Sequence, residues 1–419
     1  MSQKNIIESY LKLGAKIDSE KYIVAHFYLE ADPKIGMAKA AEAIAGESSI
    51  GTWTRLSTMS NKIFRHLAPV IFYLNSSAHH VKIAYPLSLF EPGNLPQLLS
   101  SIGGNIFSMK VVKNLRLENI ELPQKYINSF KGPQFGISGV RNILKIYDRP
   151  LIGCIMKPKV GLTAQKTAEL AYDLFTNGVD VIKDDENLTS LPFNTFSERA
   201  RRVIASKKKA EEKTGVKKIY VFNVTAPADL MLERARLIKK LGGNCVMVDV
   251  VSLGWGAVQY LRNKNLGLVI HGHRAGHSTF SRNPKHGVTM LVLAKLARLA
   301  GIDQFHTGTV VGKMEGGKEE VIGINRFLEE DWGRLKSVLP IASGGLYPGS
   351  IPALIKILGN EVIINFGGGI HGHPGGSTSG ARAALQAVEA TQKKISLDVY
   401  SRNHPELKKA IEYWGTVKY

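Results

Sequence analysis

Cysteine is scarce in this chain of 419 residues, and long apolar runs are missing. The two cysteines, Cys154 and Cys245, lie inside apolar stretches, where a thiol acts as a small buried hydrophobe, so a secreted scaffold built on disulfides is not indicated. No apolar run reaches the roughly 18 uncharged residues that a transmembrane helix needs, and charges are scattered through the start of the chain. We therefore expect a cytoplasmic protein with no membrane partner.

Acidic residues are also in short supply, since 35 Asp and Glu stand against 55 Lys and Arg, a formal net charge of +20. This excess suits an anionic substrate, or simply a basic surface that keeps the protein soluble. Nucleic-acid binding favours basic residues interleaved with exposed aromatic residues. The sequence shows no such stripe, so no nucleic-acid partner is predicted.

The length predicts two domains, because one hydrophobic core rarely grows past roughly 250–300 residues. Residues 1–132 show no regular repeat and are interpreted as a smaller α+β domain of the ferredoxin-like type. Its predicted elements are strands at 22–30 and 81–89 and a helix at 34–45. Residues 133–419 are assigned to a second, catalytic domain that ends in a helix over 405–414.

In the second domain, a short β-branched apolar run, a polar cluster, a helical stretch and a glycine recur. Continuous apolar runs are typical of strands that helices cover on both faces. Thr163, for example, is predicted to cap a helix that stops before Gly178. Eight such units match the size of a closed (β/α)8 TIM barrel, with an open doubly wound sheet as the alternative. The predicted strands are 151–157, 179–185, 218–225, 244–251, 267–274, 302–307, 339–343 and 361–366.

Polar and charged side chains follow the predicted strands at the points where they end. Because a barrel brings the C-terminal ends of all its strands to one rim, we expect these groups to converge on one mouth. Polarity at strand ends is ordinary, but so many lysines, histidines and carboxylates are not. The residues concerned are Lys157, Lys159, Lys183, Asp185, Glu186, Asn223, Asp249, His271, His273, Arg274, His306 and Ser343.

The second predicted strand ends in Lys183, Asp184, Asp185 and Glu186. Strand alternation puts Lys183 and Asp185 on one face, with Glu186 just past the strand end. Two carboxylates suit a hard cation such as Mg²⁺. A lysine beside that cation is either a counter-ion or a neutral amine that has captured CO2 and become a carbamate ligand. A salt-bridged strand end without a metal is the alternative.

Glycines follow the seventh and eighth strands as Gly344, Gly345 and Gly367–Gly369. Barrels commonly bind phosphate at this place through backbone amides. Arg274 and His306, across the rim, offer a second anionic subsite. Two such subsites suggest a bisphosphate substrate, although turn geometry alone would also account for the glycines.

The loop after the sixth strand carries Lys313 between Gly312 and Gly316. Such a segment is expected of a mobile lid that brings one cation to a closed site. A plain glycine-rich loop with an exposed lysine would look the same.

The motifs together resemble those of the large subunit of ribulose-1,5-bisphosphate carboxylase/oxygenase, RuBisCO. They occur in the family's order and spacing from about residue 20 to the C-terminus, and RNPKHG and GGGIHGHP are most similar to the archaeal form III branch. The other motifs are GESSIGTWT, GGNIFSMK, GCIMKPKVGL, GVDVIKDDENLTS, HGHRAGH, HTGTVVGKMEG and LPIASGG.

The resemblance implies a metal site and a proton-transfer group. Lys183 would be carbamylated by CO2 and would hold one Mg²⁺ together with Asp185 and Glu186. Lys157 would lie near the enediol carbon and pass protons, supported by Lys159.

The resemblance also implies roles around the substrate. His273 would serve in acid/base steps, and Lys313 would close over CO2 and pair with Glu47. Arg274 and His306 would bind one phosphate, and the glycines with Thr52 and Trp53 the other. The implied substrate-binding residues are Asn105, Thr52, Trp53, Arg274, His277, His306, Ser343, Gly344, Gly345, Gly367 and Gly368.

The implied reaction is carboxylation of ribulose 1,5-bisphosphate through an enediolate to 3-phosphoglycerate, with O2 as a competing substrate. The family implies a homodimer as the minimal unit, compatible with a larger assembly of dimers and without a small subunit, because Glu47 and Asn105 would complete the neighbouring subunit's site. The form III branch implies a role in nucleoside monophosphate salvage. The alternative is a RuBisCO-like enolase or isomerase acting on another phosphorylated pentulose.

Overall fold

The computed structural model describes residues 9–52, 54, 56–311 and 317–417. Trp53 and Lys313, two of the predicted site residues, lie outside this part of the chain. The strands within it are β1 Tyr22–Ala31, β2 Val70–Asn75, β3 His80–Pro86, β4 Val112–Glu121, β5 Leu151–Ile155, β6 Val181–Lys183, β7 Ile219–Asn223, β8 Cys245–Asp249, β9 Val269–His273, β10 Gly287–Val288, β11 Gln304–Gly308, β12 Leu339–Ser343 and β13 Ile363–Phe366.

The α-helices of the same residues alternate with the strands after residue 150. They are α1 Met37–Glu47, α2 Asn61–Leu67, α3 Leu95–Ile102, α4 Gln124–Ile127, α5 Gly136–Leu144, α6 Ala164–Thr176, α7 Phe196–Thr214, α8 Ala228–Leu241, α9 Val250–Leu253, α10 Trp255–Asn263, α11 Ser278–Ser281, α12 Met290–Ala300, α13 Lys318–Glu329, α14 Ile351–Leu358, α15 Gly368–His371, α16 Gly376–Gln392, α17 Leu397–Tyr400 and α18 Pro405–Trp414. None of these described helices is both long and apolar enough to cross a bilayer.

Eight strands close into a parallel barrel in the order β11-β12-β13-β5-β6-β7-β8-β9. The predicted TIM barrel is therefore confirmed, and the open doubly wound sheet is excluded. Most of the strands are shorter than predicted: several begin one or two residues later, and several end earlier because polar residues at their C-terminal ends leave the ladder. Strand β6, for example, stops at Lys183, so Asp185 lies beyond the strand rather than within it.

The N-terminal end of the barrel is filled by apolar side chains. Buried residues near the starts of the strands pack together, among them Leu151, Val181 and Ile219. Val140 and Leu144 of α5 join the same cluster, because their spacing of four puts both on one face of that helix. Apolar packing thus fills the N-terminal end of the barrel and leaves polar side chains to its C-terminal end.

A separate compact unit is built on a mixed sheet of order β10-β4-β1-β3-β2. Strand β1 pairs antiparallel with β3 and β4, whereas β10 pairs parallel with β4. The predicted helix at 34–45 is shifted to α1. The predicted strand at 81–89 ends at Pro86, and a 3-10 turn takes 87–89.

The contacts between residues divide the chain into two compact units that do not follow a single boundary at 132/133. The unit with the mixed sheet gathers the chain up to Lys131 together with Gly276–Leu299 and Gly333–Leu335, and the barrel unit takes the rest. The boundary itself stays a prediction.

Local sequence signals set the helix ends in the barrel. The Thr163 side chain accepts a hydrogen bond from the Lys166 amide at the start of α6. Gly242 ends α8 with φ of 88°, a left-handed conformation that glycine adopts without a Cβ clash. These two local signals therefore set where α6 begins and where α8 ends.

Candidate active site

Lys183 is the last residue of β6 and is deeply buried, with 1% of its side chain exposed. Its Nζ donates to the carbonyl of Asp184 at 2.9 Å and lies 3.8 Å from Glu186 Oε2. Burial lowers the pKa of Lys183, and the facing carboxylates only partly offset this. The site therefore favours a neutral amine more than water does.

The two carboxylates that follow are held by lysines from the end of β5. Lys157 Nζ lies 2.6 Å from Asp185 Oδ2, and Lys159 Nζ lies 3.3 Å from Glu186 Oε1. Burial by itself would raise the pKa of Glu186, but the nearby positive charges, Lys183 among them, outweigh it and lower that pKa. The predicted group of three lysines and two carboxylates is thus gathered at one point.

Asp184 faces away from this group and anchors it. Its carboxylate is fully buried and accepts from Arg199 at 3.2 Å, from the Tyr220 hydroxyl at 2.7 Å and from the Asn223 amide at 3.0 Å. The Asn223 side chain donates to the carbonyl of Glu186 at 2.9 Å. These contacts fix the backbone on both sides of Asp185. Sequence reasoning assigned Asp184 no role, although alternation from Lys183 already separated it from Asp185.

The oxygen donors fit a small divalent cation in part. Among the described residues, no three histidine, cysteine or carboxylate side chains are gathered so that they could hold a metal ion. Asp185 and Glu186 supply hard oxygen ligands of the kind that Mg²⁺ prefers. A third anionic oxygen would have to come from a modified Lys183, the buried amine beside them.

His273, the last residue of β9, faces the same carboxylate. Its Nδ1 accepts from the Ala275 amide at 3.2 Å, and its Nε2 lies 3.6 Å from Glu186 Oε2. Burial lowers its pKa, so the imidazole is neutral at pH 7. With Nδ1 as an acceptor, the proton sits on Nε2 and points towards the carboxylate, where it can be donated.

His306 lies against His273, with ring centroids 4.8 Å apart. Both of its ring nitrogens already have protein partners, since Nδ1 is 2.9 Å from Ser343 Oγ and Nε2 is 2.9 Å from His271 Nε2. Arg274, which is predicted to bind the same phosphate as His306, is buried, with 9% of its surface exposed. Its guanidinium lies against Gly308, since a Cβ added to that glycine would be 2.9 Å from Arg274 Nη2. Sequence reasoning placed His271 at a strand end but missed its contact with His306.

The two glycine-rich loops touch each other. A Cβ on Gly369 would lie 2.0 Å from the Leu346 carbonyl, whereas one on Gly368 would meet nothing within 4 Å. A Cβ on Gly367 would lie 3.4 Å from Lys157 Cε. Gly369 is therefore required for packing, Gly367 borders Lys157, and Gly368 faces open space. Gly344 and Gly345 have φ of 116° and 71°, which favours glycine.

The remaining predicted residues belong to the unit with the mixed sheet. Glu47 ends α1 and is partly buried, whereas Thr52 and Asn105 are exposed. His277 precedes α11, and its Nδ1 lies 2.9 Å from Ser281 Oγ. These four residues are therefore not among those that the barrel strands bring together.

Comparison with known proteins gives matches over nearly the whole chain. The family model "Ribulose bisphosphate carboxylase large chain, catalytic domain" matches residues 136–414, and the corresponding N-terminal domain matches residues 10–126. A ribulose bisphosphate carboxylase of Methanosarcina barkeri is 47% identical over 409 residues, covering 94% of this chain and 96% of the relative. One of Pyrococcus abyssi is 47% identical over 400 residues, covering 94% of each.

Solved structures give the same result. The structure of an octameric Rubisco from Pyrococcus horikoshii, in complex with sulfate ion, is 44% identical, with a TM-score of 0.95 and full coverage of both chains. A dimeric archaeal Rubisco from Hyperthermus butylicus is 41% identical, with a TM-score of 0.92, covering 97% of this chain and 99% of that one.

Proposed function

The chain belongs to the family of ribulose bisphosphate carboxylase large chains and is an enzyme of that class, and from this premise we propose that its barrel mouth carries out Mg²⁺-dependent carboxylation of ribulose 1,5-bisphosphate. The observation that carries the proposal is the buried Lys183 beside two lysine-held carboxylates at the end of β6. Oxygenation by O2 at the same enediolate is the competing reaction. Carboxylation, hydration and cleavage of the resulting six-carbon compound give two molecules of 3-phosphoglycerate.

Lys183 provides the missing ligand by reacting with CO2. Its neutral amine attacks the carbon of CO2, a C–N bond forms, and one proton leaves, so that the side chain changes from a base into a carbamate anion. The lowered pKa of Lys183 supports this step, because only the neutral amine is nucleophilic. The carbamate, Asp185 and Glu186 would then hold Mg²⁺ through hard oxygen atoms.

A bound Mg²⁺ supplies Lewis acidity that polarises the substrate ketone and lowers the pKa of the adjacent C–H bond. Lys157, which Asp185 holds in place, would lie near the enediol carbon and pass protons there, with Lys159 in support. His273 serves in acid/base steps at the substrate hydroxyls, for which its Nε2 proton is available.

Binding of the two phosphates orients the reacting carbons. Arg274 provides a buried guanidinium for one phosphate, and the amides of Gly345, Gly367 and Gly368 serve the other. His306 would reach a phosphate only by exchanging a protein partner, because both of its ring nitrogens are hydrogen bonded. Glu47, Thr52, Trp53, Asn105, His277 and Lys313 keep their predicted roles.

We place the working unit at a homodimer, in which each N-terminal domain completes the neighbouring site, without a small subunit. The relatives described as dimeric and octameric are compatible with it. The metabolic role that we propose is disposal of ribulose bisphosphate derived from nucleoside monophosphates.

The test is incorporation of labelled CO2 into 3-phosphoglycerate by protein preincubated with Mg²⁺ and bicarbonate. Label in 3-phosphoglycerate supports carboxylation of ribulose bisphosphate. A folded dimer that enolises or isomerises a phosphorylated pentulose without incorporating label would overturn the proposal in favour of the enolase reading.

A further inference from the structure

Four side chains form a buried hydrogen-bonded row beneath the barrel mouth. Gln304 Oε1 lies 2.9 Å from His271 Nδ1, the two Nε2 atoms of His271 and His306 are 2.9 Å apart, and His306 Nδ1 lies 2.9 Å from Ser343 Oγ. Gln304, His271 and His306 are each at most 3% exposed. The row starts inside the barrel wall and ends at the mouth, where Ser343 closes β12.

Strand register explains why the row forms. Gln304 of β11 pairs with His271 of β9, so their side chains lie side by side on one face of the sheet. His306 is two residues after Gln304 and therefore points the same way. The sequence separation of 35 residues between His271 and His306 is bridged by adjacent parallel strands.

The hydrogen bonds of the row must all be donated in the same direction along it. Two neutral imidazoles that share a bond through Nε2 cannot both carry the proton there, so the tautomer of one ring sets that of the other. Burial lowers the pKa of His271 to about 3, and that of His306 also lies well below its ordinary value. Both rings are therefore neutral at pH 7, and each has one donor and one acceptor nitrogen.

The carbonyl oxygen of Gln304 selects the direction. The Gln304 amide is oriented with Oε1 towards His271 and with Nε2 buried and without a hydrogen-bond partner among the described residues. In this orientation Gln304 can only accept, so His271 carries its proton on Nδ1 and accepts at Nε2, and the opposite amide orientation would reverse every bond of the row. His306 then donates from Nε2 to His271 and accepts at Nδ1 a hydrogen bond that the Ser343 hydroxyl donates. The oxygen of Ser343 keeps lone pairs for the mouth of the barrel and has no proton left to offer.

We propose that Gln304 and His271 are positioning residues: they fix the tautomer of His306 and thereby make Ser343, which the family resemblance already assigns to substrate binding, an acceptor towards a substrate hydroxyl. This inference rests on the proposed function, which supplies a polyhydroxylated sugar bisphosphate as the ligand. A substrate hydroxyl donates to Ser343, and the row holds the serine oxygen in place. An acceptor at this point selects a hydroxyl over a ketone or phosphate oxygen, which cannot donate.

The first experiment reads the tautomers without any turnover. In ¹⁵N spectra of histidine-labelled protein, one buried imidazole is expected in the Nδ1–H form and its neighbour in the Nε2–H form. His271→Gln should remove the Nδ1–H signal and leave the Nε2–H signal of His306. If the wild-type spectrum instead shows His306 protonated on Nδ1, the row runs the other way and the inference is wrong.

The second experiment is a double-mutant cycle on kcat/KM. His271→Leu removes the bonding nitrogen at similar volume, and losing one such buried bond corresponds to about a tenfold fall. His271→Gln is the matched control, because its amide reaches the Nε2 position, and we expect it to keep most of the activity. Since His271 acts through the serine, the fall caused by His271→Leu should shrink to about twofold or less in a Ser343→Ala background.

Gln304→Glu adds a check on direction, because a carboxylate accepts but does not donate when ionised. It should preserve kcat/KM better than Gln304→Met. Additive effects in the cycle, or equal loss in the glutamine and leucine variants of His271, would overturn the inference. Wild-type protein that incorporates no labelled CO2 would instead defeat the proposed function, and the ¹⁵N experiment would still test the row.

Discussion

Asp184→Asn is expected to destabilise the protein strongly although it replaces only one oxygen of the side chain by an NH2 group. The two carboxylate oxygens of Asp184 accept from Arg199, Tyr220 and the Asn223 amide, and both partners of the ion pair are fully buried. An asparagine can keep an oxygen at the Oδ2 position, where Arg199 and the Asn223 amide donate, and place its amide group at the Oδ1 position, where the Tyr220 hydroxyl would have to change from donor to acceptor. The Arg199 guanidinium would also be left without its counter-charge.

The size of the stability loss depends on the hydrogen bonds that Arg199 retains in the variant. Breaking a buried ion pair by removing one partner costs about 3–5 kcal/mol. Arg199 retains the carbonyls of Thr189 and Asn194 at 2.6 and 3.2 Å, which still satisfy part of its hydrogen bonding. We therefore expect a loss at the lower end, about 3 kcal/mol in the free energy of unfolding.

Urea denaturation followed by circular dichroism measures the loss as a fall in the midpoint. Asp173→Asn, an exposed position on α6, is the matched control and should change stability by about 0.5 kcal/mol or less. The double variant Asp184→Asn with Arg199→Met should be more stable than Asp184→Asn alone, because no charge remains buried. A midpoint for Asp184→Asn equal to that of the control would refute the reasoning.

Three further outcomes are expected. Lys183→Ala should abolish turnover together with activation by CO2 and Mg²⁺. In the wild type, the rate of activation should rise with pH as the Lys183 amine loses its proton. It should level off at a lower pH than for an ordinary lysine, because burial lowers the pKa of Lys183. Gly369→Ala should lower stability because its Cβ would strike the Leu346 carbonyl, whereas Gly368→Ala should leave stability unchanged and raise KM for the bisphosphate. Lys313→Ala should retain enolisation, measured as deuterium exchange, and lose carboxylation.

Each of these outcomes has a result that would count against it. Activation that is independent of pH would contradict capture of CO2 by a neutral amine. Equal stability of the two glycine variants in thermal denaturation would contradict the loop contact. Equal loss of both partial reactions in the lysine variant would contradict a lid role.

The sequence predicted most of the fold because its signals are local. Continuous apolar runs marked the barrel strands, and the terminal helix was predicted at its observed bounds, Pro405–Trp414. The resemblance to RuBisCO large subunits and to their archaeal branch is confirmed by relatives at 41–47% identity. The ends of several elements were wrong by a few residues, because propensity alone does not say where a polar residue leaves a ladder.

The site could be predicted only as a set of residue types on one rim. That Lys157 pairs with Asp185, and Lys159 with Glu186, follows from the neighbouring positions of β5 and β6 in the closed barrel. Sequence patterns assigned His306 to a phosphate, yet its two nitrogens are bonded to Ser343 and His271. Hydrogen-bond partners depend on register and side-chain rotamers, which no local pattern encodes.

The amino-acid sequence by itself thus determined the order of strands and helices and the residue types present at each strand end, since these follow from residue type and spacing along the chain. Only the tertiary structure decided that Asp184 turns away to anchor Arg199 and that Gln304 reaches Ser343 through two histidines. Closure of the barrel is the physical reason, because it puts side chains from distant parts of the sequence within hydrogen-bond distance of one another.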